Sequence, residues 1–172
     1  MKLVFVQPNY HAGGAEIAGN WPPGWVAYIG GALKHAGFTD ITFVDAMTNH
    51  IDDASLKMRL AELKPDAVLA TAITPMIYQA QRTLQIAKEV NPNAHTILGG
   101  IHPTFMYQQV FHEAPWIDYI VRGEGEEIIA ELMQHLRDGT ALATRREIKG
   151  IAFVEDGQVV ATLPEPPRLN GS

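Results

Sequence analysis

Short apolar runs alternate with longer amphipathic segments along most of this chain. The apolar runs are typical of buried strands, and the segments that follow them have the periodicity of helices. The predicted strands are residues 3–6, 41–45, 67–71, 95–98 and 116–121, and the predicted helices are residues 25–35, 53–63, 75–90, 103–113 and 124–137. Strands that are apolar throughout and that alternate with helices indicate a parallel sheet covered on both faces.

The alternation predicts a doubly wound α/β fold, with a five-stranded parallel sheet in the flavodoxin-like order 2-1-3-4-5. The topological switch point of that order lies between the first and third strands, and such sheets bind ligands at the carboxyl ends of their strands. Residues 150–154 and 158–162 flank Asp156-Gly157 and predict a β-hairpin. We therefore expect a Rossmann-like domain over residues 1–147, a hairpin over 148–163, and a proline-rich linker over 164–172 that leads to a further domain.

Composition narrows the functional classes. A chain of 172 residues with 47% hydrophobic and 19% charged residues fits one folded domain. Its net charge of −6 without a basic run disfavours a nucleic-acid surface, and the absence of cysteine excludes disulfides and thiolate metal sites from this chain. The first apolar run is too short for a signal peptide or a membrane span, so we expect a cytoplasmic protein, with association to a membrane surface left open.

Hydroxyl groups and glycines follow the third and fourth predicted strands. Thr71 and Thr74 flank one turn and can bond amide or phosphate groups of a ligand, although Thr74 before Pro75 is also a typical helix N-cap. Gly99 and Gly100 end the fourth strand, where a backbone without Cβ atoms can be approached closely. A tight turn with one positive φ would explain only one of these two glycines.

The turn after the fifth strand carries Glu124 between Gly123 and Gly125. The acidic residues that follow it are explained by the dipole of the next helix, whereas Glu124 can also accept hydrogen bonds from ligand amides or a ribose. Residues 9–23 form an unusually long first loop, since such loops commonly have about 2–6 residues. We expect this loop to be packed and functional.

No nucleophile–base pair, P-loop or zinc-binding spacing is present, so the sequence indicates a binding module with no catalytic residue of its own. The turns Thr71-Ala72-Ile73-Thr74-Pro75, Gly99-Gly100-Ile101-His102-Pro103-Thr104 and residues 118–126 resemble the N-terminal cobalamin-binding domain of radical S-adenosylmethionine enzymes. The resemblance covers essentially the whole chain. It implies that cobalamin is bound by Asn9, Asp45, Thr71, Ile73, Thr74, Gly99, Gly100, His102, Pro103, Thr104, Gly123, Glu124 and Gly125.

Within that family, residues 7–23 are most similar to the oxygen-independent cyclases that close the fifth ring of a magnesium porphyrin in bacteriochlorophyll synthesis. The resemblance implies a complete enzyme with a [4Fe–4S] cluster, S-adenosylmethionine and a radical S-adenosylmethionine domain, in which water supplies the new keto oxygen. The cluster would be held by a Cys-x₃-Cys-x₂-Cys motif, which this chain does not contain, so we expect no turnover from this segment alone.

The sequence departs from the wider class of cobalamin domains at one motif. Many members carry Asp-x-His-x-x-Gly, whose histidine is the lower ligand of cobalt. Here Asp45 is followed by Met47 at the histidine position, and the expected glycine is missing. We therefore expect no lower histidine ligand from this motif, with His50 as the substitute if its loop folds back.

Three other interpretations stay open at this point. The chain can be the cobalamin domain of a different radical S-adenosylmethionine enzyme, such as a methyltransferase. The second is a flavodoxin-like module. A flavin site is disfavoured because the first loop has glycines but neither serine nor threonine, and a receiver role is disfavoured because Gln7-Pro8-Asn9 offers no acid cluster. A protein-interaction domain without a ligand is the third alternative.

Overall fold

The computed structural model describes residues 1–10 and 23–163. Its strands are β1 (Leu3–Gln7), β2 (Ile41–Asp45), β3 (Ala67–Thr71), β4 (His95–Gly99), β5 (Tyr119–Val121), β6 (Ile151–Glu155) and β7 (Gln158–Ala161). Its helices are α1 (Gly24–His35), α2 (Asp53–Leu63), α3 (Ile77–Val90), α4 (Ile101–Glu113), α5 (Gly125–Arg137) and the short α6 (Ala141–Thr144). The alternation of strands and helices agrees with the sequence prediction, whereas α6 was not expected.

The strands form a single sheet in the order β2-β1-β3-β4-β5-β6-β7. The first five strands are parallel and have the predicted order, with β1 between β2 and β3 at the switch point. The prediction of a five-stranded sheet is wrong, because β6 pairs antiparallel with β5 and the hairpin extends the same sheet to seven strands. The physical reason is burial: Ile151, Ala152 and Phe153 are all inaccessible to solvent, as expected of a strand covered on both faces.

The two faces of the sheet carry separate cores. Consecutive residues of β1 point to opposite faces, so Val4 and Val6 pack under α2, α3 and α4, whereas Leu3 and Phe5 pack under α1 and α5. All four side chains are fully buried. The prediction of a sheet covered on both faces is confirmed, and the α1/α5 face is the one that matters for the site described below.

Local signals fix the ends of several elements. Gly37 has a φ of +90°, and the N–H of Phe38 donates to the carbonyl of Leu33 at 2.9 Å, which is the pattern of a Schellman C-cap. Asp52 caps α2 by accepting from the N–H of Ser55 at 2.8 Å, and this bond lowers the pKa of its carboxyl. The helices therefore begin and end close to where capping chemistry predicts.

Candidate functional site

The carboxyl edge of the sheet is closed between β3 and β4 but open between β4 and β5. The β3–β4 pairing runs through Thr71 and Gly99, and the N–H of Ala72 extends it by donating to the carbonyl of Gly99 at 2.9 Å. The β4–β5 pairing ends earlier, at Leu98 and Ile120. The two strands part beyond that point, and a cavity begins there.

The cavity has a volume of about 360 Å³ and lies on the α1/α5 face of the sheet. Its floor is apolar, and its rim carries a threonine, two carboxylates and exposed backbone, which is the usual composition of a small-molecule site. The lining residues are Trp25, Tyr28, Ile29, Leu69, Ala70, Thr71, Ile97, Gly99, Gly100, Val121, Gly123, Glu124, Gly125, Glu126 and Ile129.

The two adjacent glycines at the carboxyl end of β4 have different roles. A Cβ atom at Gly100 would lie 2.5 Å from the carbonyl oxygen of Ala72 and 2.6 Å from Oγ1 of Thr71, and its φ is +103°. Gly100 is therefore required by the protein's own turn. A Cβ atom at Gly99 would meet no atom within 4 Å, so this glycine is not explained by packing and leaves space in the cavity.

Helix α1 supplies a wall of the cavity that was not predicted from the sequence. The indole Nε1 of Trp25 donates to Oε1 of Gln7 at 2.9 Å, and its ring lies against Phe5 with centroids 5.6 Å apart. Tyr28 lies one turn further along α1 and is 69% exposed although it is a large aromatic residue. The spacing of Trp25 and Tyr28 on one helix face is the signal that could have identified this wall.

The turn between β5 and α5 forms the opposite rim. Gly123 has a φ of +86°, which the turn requires. A Cβ atom at Gly125 would lie 3.3 Å from Cδ1 of Ile29, so the absence of a side chain there lets α1 pack closely against the turn. Glu124 precedes α5, is exposed, and makes no side-chain capping bond. Glu126, in the first turn of α5, also lines the cavity, although the sequence had not singled it out as a site residue.

Six of the predicted site residues thus come together, and the others lie elsewhere. The six that line the cavity are Thr71, Gly99, Gly100, Gly123, Glu124 and Gly125. Asn9 instead donates through Nδ2 to the carbonyl of Ile51 at 2.9 Å and borders a separate cavity of about 210 Å³. Asp45 accepts from the N–H of Thr48 at 2.9 Å, and His50 is exposed in the same turn after β2.

The remaining predicted residues lie along the same sheet edge without lining the cavity. Thr74 Oγ1 and His102 Nδ1 are 3.1 Å apart, and the expected capping bond of Thr74 is absent because a 3-10 turn, Thr74–Met76, precedes α3. Ile73 is half exposed beside them, and Pro103 is buried in α4. Thr104 uses its hydroxyl within the protein, as described below.

Part of the expected site lies outside the described residues. The packed first loop was predicted over residues 9–23, of which the structure describes only Asn9, Tyr10 and Pro23. Within residues 1–10 and 23–163, no group of three or more histidine, cysteine or acidic side chains could hold a metal ion. No helix in that same part of the chain is long and apolar enough to cross a bilayer.

A larger cavity of about 620 Å³ lies at the other, amino edge of the sheet, near His95, Tyr119 and Arg145. Burial lowers the pKa of His95 and raises the pKa of Tyr119, so both side chains are neutral near pH 7. This edge is not where doubly wound sheets bind their ligands. The cavity at the carboxyl edge is therefore the better candidate for the functional site.

An open α/β sheet with a cavity at its carboxyl edge is typical of domains that bind nucleotides or related cofactors. Within that class, this chain belongs to the B12-binding domain family, whose model matches residues 10–133.

Two curated relatives share this part of the sequence, and both are named anaerobic magnesium-protoporphyrin IX monomethyl ester cyclase. The protein of Rubrivivax gelatinosus is 59% identical over 97% of this chain, and that of Cereibacter sphaeroides is 56% identical over 96%. The chain spans only 30% and 27% of the lengths of these two relatives.

A solved structure shares the fold. It is described as the cobalamin-dependent S-adenosylmethionine radical enzyme OxsB with aqua-cobalamin and S-adenosylmethionine bound. It superposes with a TM-score of 0.78 at 17% identity, over 96% of this chain and 22% of that one. At this identity the likeness establishes the architecture alone.

Proposed function

We propose that this chain binds cobalamin as the N-terminal domain of an anaerobic magnesium-protoporphyrin IX monomethyl ester cyclase. Membership of the B12-binding family and an identity of 59% to a cyclase of that name support the proposal. The domain boundaries belong to it as well: residues 1–147 form the cobalamin-binding domain, residues 148–163 form the hairpin, and residues 164–172 lead to the radical S-adenosylmethionine domain. The substrate, a magnesium porphyrin, and a cytoplasmic location, with association to a membrane surface left open, complete the proposal.

The observation that carries the cofactor assignment is the open space beside Gly99. Leu69, Ile97 and Ile129 give the cavity an apolar floor, which suits the dimethylbenzimidazole ring at the end of the nucleotide tail. Thr71 can donate a hydrogen bond to the phosphate or ribose of that tail. Glu124 and Glu126 can accept hydrogen bonds from the amide groups of the corrin side chains.

The residues of this chain thus bind and orient the cofactor, and none of them is assigned a catalytic role. When bound, cobalamin supplies the cobalt centre used by the complete enzyme, together with the [4Fe–4S] cluster and S-adenosylmethionine of the other domain. The six cavity residues predicted from the sequence are the proposed contacts. Ile73, Thr74, His102 and Pro103 lie along the same sheet edge and stay predicted contacts of the cofactor, whereas Asn9 and Asp45 are predictions that no contact of the cavity supports.

The first experiment mixes this 172-residue chain with hydroxocobalamin and separates the mixture by gel filtration. We expect the cobalamin absorbance to elute with the protein at one equivalent per chain. A colourless protein peak would contradict cofactor binding, and retention of flavin mononucleotide instead would favour the flavodoxin-like alternative.

The second experiment tests the activity with the full-length enzyme, under anaerobic conditions with S-adenosylmethionine, a reductant and magnesium-protoporphyrin IX monomethyl ester. We expect formation of the five-ring product, detected by its absorbance and mass. Cobalamin binding without ring closure, or methylation of a substrate, would instead assign the domain to a different radical S-adenosylmethionine enzyme.

The lower face of cobalt is a separate part of the proposal. Met47 stands at the histidine position of the usual motif, and His50 is not among the residues that line the cavity. We expect electron paramagnetic resonance of the bound cob(II)alamin to show no nitrogen superhyperfine splitting from a protein histidine. Splitting that disappears in His50→Ala would contradict this expectation.

A further inference from the structure

Thr104, in the first turn of α4, bridges the two glycine turns that border the cavity. Its hydroxyl donates to the carbonyl oxygen of Gly100 at 2.8 Å and accepts from the N–H of Gly123 at 3.1 Å. Gly100 follows β4 and Gly123 follows β5, the two strands whose pairing ends at Leu98 and Ile120. A side chain therefore joins the strands beyond the point where their backbone pairing stops.

Arg122 holds the backbone of Thr104 in place. The guanidinium Nε donates to the carbonyl of Thr104 at 3.2 Å, and Nη1 donates to the carbonyl of Thr162 at 3.2 Å. The same guanidinium lies over the ring of Tyr107, 4.4 Å from its centroid. These contacts tie the start of α4 to the end of β5 and to the segment after β7, so Thr104 has little freedom to move.

The consequence for the cavity is geometric. Gly99 and Gly100 at the end of β4 and Val121 and Gly123 at the end of β5 all line the cavity, whereas Thr104 itself is not a lining residue. Removing its hydroxyl would change no contact with a ligand in the cavity, but it would release Gly123 from Gly100. The loss of a fixed spacing lowers affinity because the free protein must then be ordered on binding.

We infer that Thr104 is a positioning residue that sets the width of the cofactor cavity between β4 and β5, with Arg122 as its support. The inference rests on the proposed function, since the ligand whose fit depends on that width is cobalamin. It reassigns the threonine of the Gly-Gly-Ile-His-Pro-Thr turn from a predicted cofactor contact to a bridge within the protein.

The test compares hydroxocobalamin affinity in Thr104→Val, Thr104→Ser and Thr144→Val. Valine keeps the shape but has no hydrogen-bonding group, and serine keeps the hydroxyl. Thr144 is a matched control, because its hydroxyl also donates to the carbonyl four residues earlier, Thr140 at 3.0 Å, but lies in α6 away from the cavity. We expect Kd to rise about fivefold to tenfold in Thr104→Val, and to stay within about twofold of wild type in the other two variants.

A second readout needs no ligand. We expect the amide of Gly123 to exchange its hydrogen faster in Thr104→Val than in wild type, because its acceptor is gone, and to keep the wild-type rate in Thr104→Ser. Should Thr104→Val not fold, Arg122→Gln provides the affinity test, with an expected rise in Kd of about threefold or more.

The outcomes separate the two proposals. A wild-type chain that does not bind hydroxocobalamin overturns the proposed function and the inference together. A wild-type chain that binds, with Thr104→Val (or Arg122→Gln in its place) binding equally well, overturns the inference alone. An equal loss in Thr104→Ser would also overturn it, since the bridging hydroxyl is still present there.

Discussion

The two gaps on either side of β4 show how neighbouring parts of one sheet edge are built for different tasks. Between β3 and β4 the backbone pairing continues to the last residue, and Gly100 packs directly on Ala72 and Thr71. Between β4 and β5 the pairing ends early and a cavity opens. The closed gap fixes β4 in place, and the open gap offers the space for a ligand.

The comparison assigns separate roles to two residues that are chemically identical. Gly100 allows the chain to turn with a positive φ against its neighbour, so its role is stability. Gly99 has an ordinary φ and open space where a side chain would be, so its role is ligand access. Substitutions at these two positions should therefore separate folding from binding.

Gly100→Ala should have the largest effect on stability, because it disrupts the packing of Gly100 on Ala72 and Thr71 at the closed gap. The new Cβ atom would collide with backbone, and the backbone angles of Gly100 are essentially restricted to glycine. Strain and overpacking together should lower the free energy of unfolding by about 2–5 kcal/mol. Urea denaturation followed by circular dichroism measures this change, and a loss below about 1 kcal/mol would show that the turn is not as tight as described.

Gly99→Val acts on the open gap and should spare folding. Its side chain would enter the cavity, so we expect the Kd for hydroxocobalamin to rise at least about tenfold, or about 1.4 kcal/mol, with the free energy of unfolding changed by less than about 1 kcal/mol. Gly31→Ala is the control, because it adds a Cβ atom to open space on α1 outside the cavity lining. Unchanged affinity in a folded Gly99→Val chain would show that the ligand does not bind in this cavity.

Thr71→Val sharpens the comparison at the end of β3, where one residue both pairs with β4 across the closed gap and lines the cavity. The loss of one hydrogen bond to the ligand should weaken cobalamin binding by about 0.5–1.5 kcal/mol, which corresponds to roughly twofold to tenfold in Kd. Thr71→Ser keeps the hydroxyl and should bind as wild type does. Equal affinities for all three chains, measured by absorbance titration, would mean that the Thr71 hydroxyl does not touch the cofactor.

Glu89→Gln should have the smallest effect on stability. Glu89 lies in α3, on the face of the sheet opposite the cavity. Lys57 and Arg82 each bond its carboxylate at 2.8 Å and lower its pKa. Because the folded pKa is depressed, the stabilisation is present above about pH 4.3, the ordinary value for glutamate, and is lost as the pH falls through the folded pKa. Wild type should be slightly more stable than Glu89→Gln at pH 7, and thermal unfolding should show this difference shrinking with acidification.

Cobalamin affinity should be the same in Glu89→Gln and wild type at pH 7, because Glu89 does not line the cavity. A difference in stability that stayed constant down to pH 3 would contradict the role of the carboxylate charge.

The sequence predicted the alternation of strands and helices because each apolar run and each capping residue is a local signal, and the order of the parallel strands followed from five successive strand–helix units of a doubly wound fold. It also predicted six cavity residues, since turns after parallel strands must meet at one edge. The separation of Gly99 from Gly100 could not be predicted, because it depends on Ala72 and Thr71 across the strand gap. The spacing of Trp25 and Tyr28 marks one face of α1, but which cavity that face borders depends on the packing of α1 against α5.

The hairpin is a second feature that could be predicted only in part from the sequence. Asp156-Gly157 predicted the turn correctly, and both residues have positive φ values as a type I′ turn requires. Nothing in that local pattern says that β6 pairs with β5. Three consecutive apolar residues, Ile151 to Phe153, were the available hint in the sequence, and the structure buries all three.

The central claim is that the open gap receives the nucleotide tail of cobalamin. The most direct measurement compares the Kd of cobalamin with that of cobinamide, which lacks the tail's base, for wild type and for Gly99→Val. We predict that wild type binds cobalamin at least about tenfold more tightly than cobinamide, and that Gly99→Val removes this preference. Equal affinities of the two corrinoids for the wild-type chain would contradict the account.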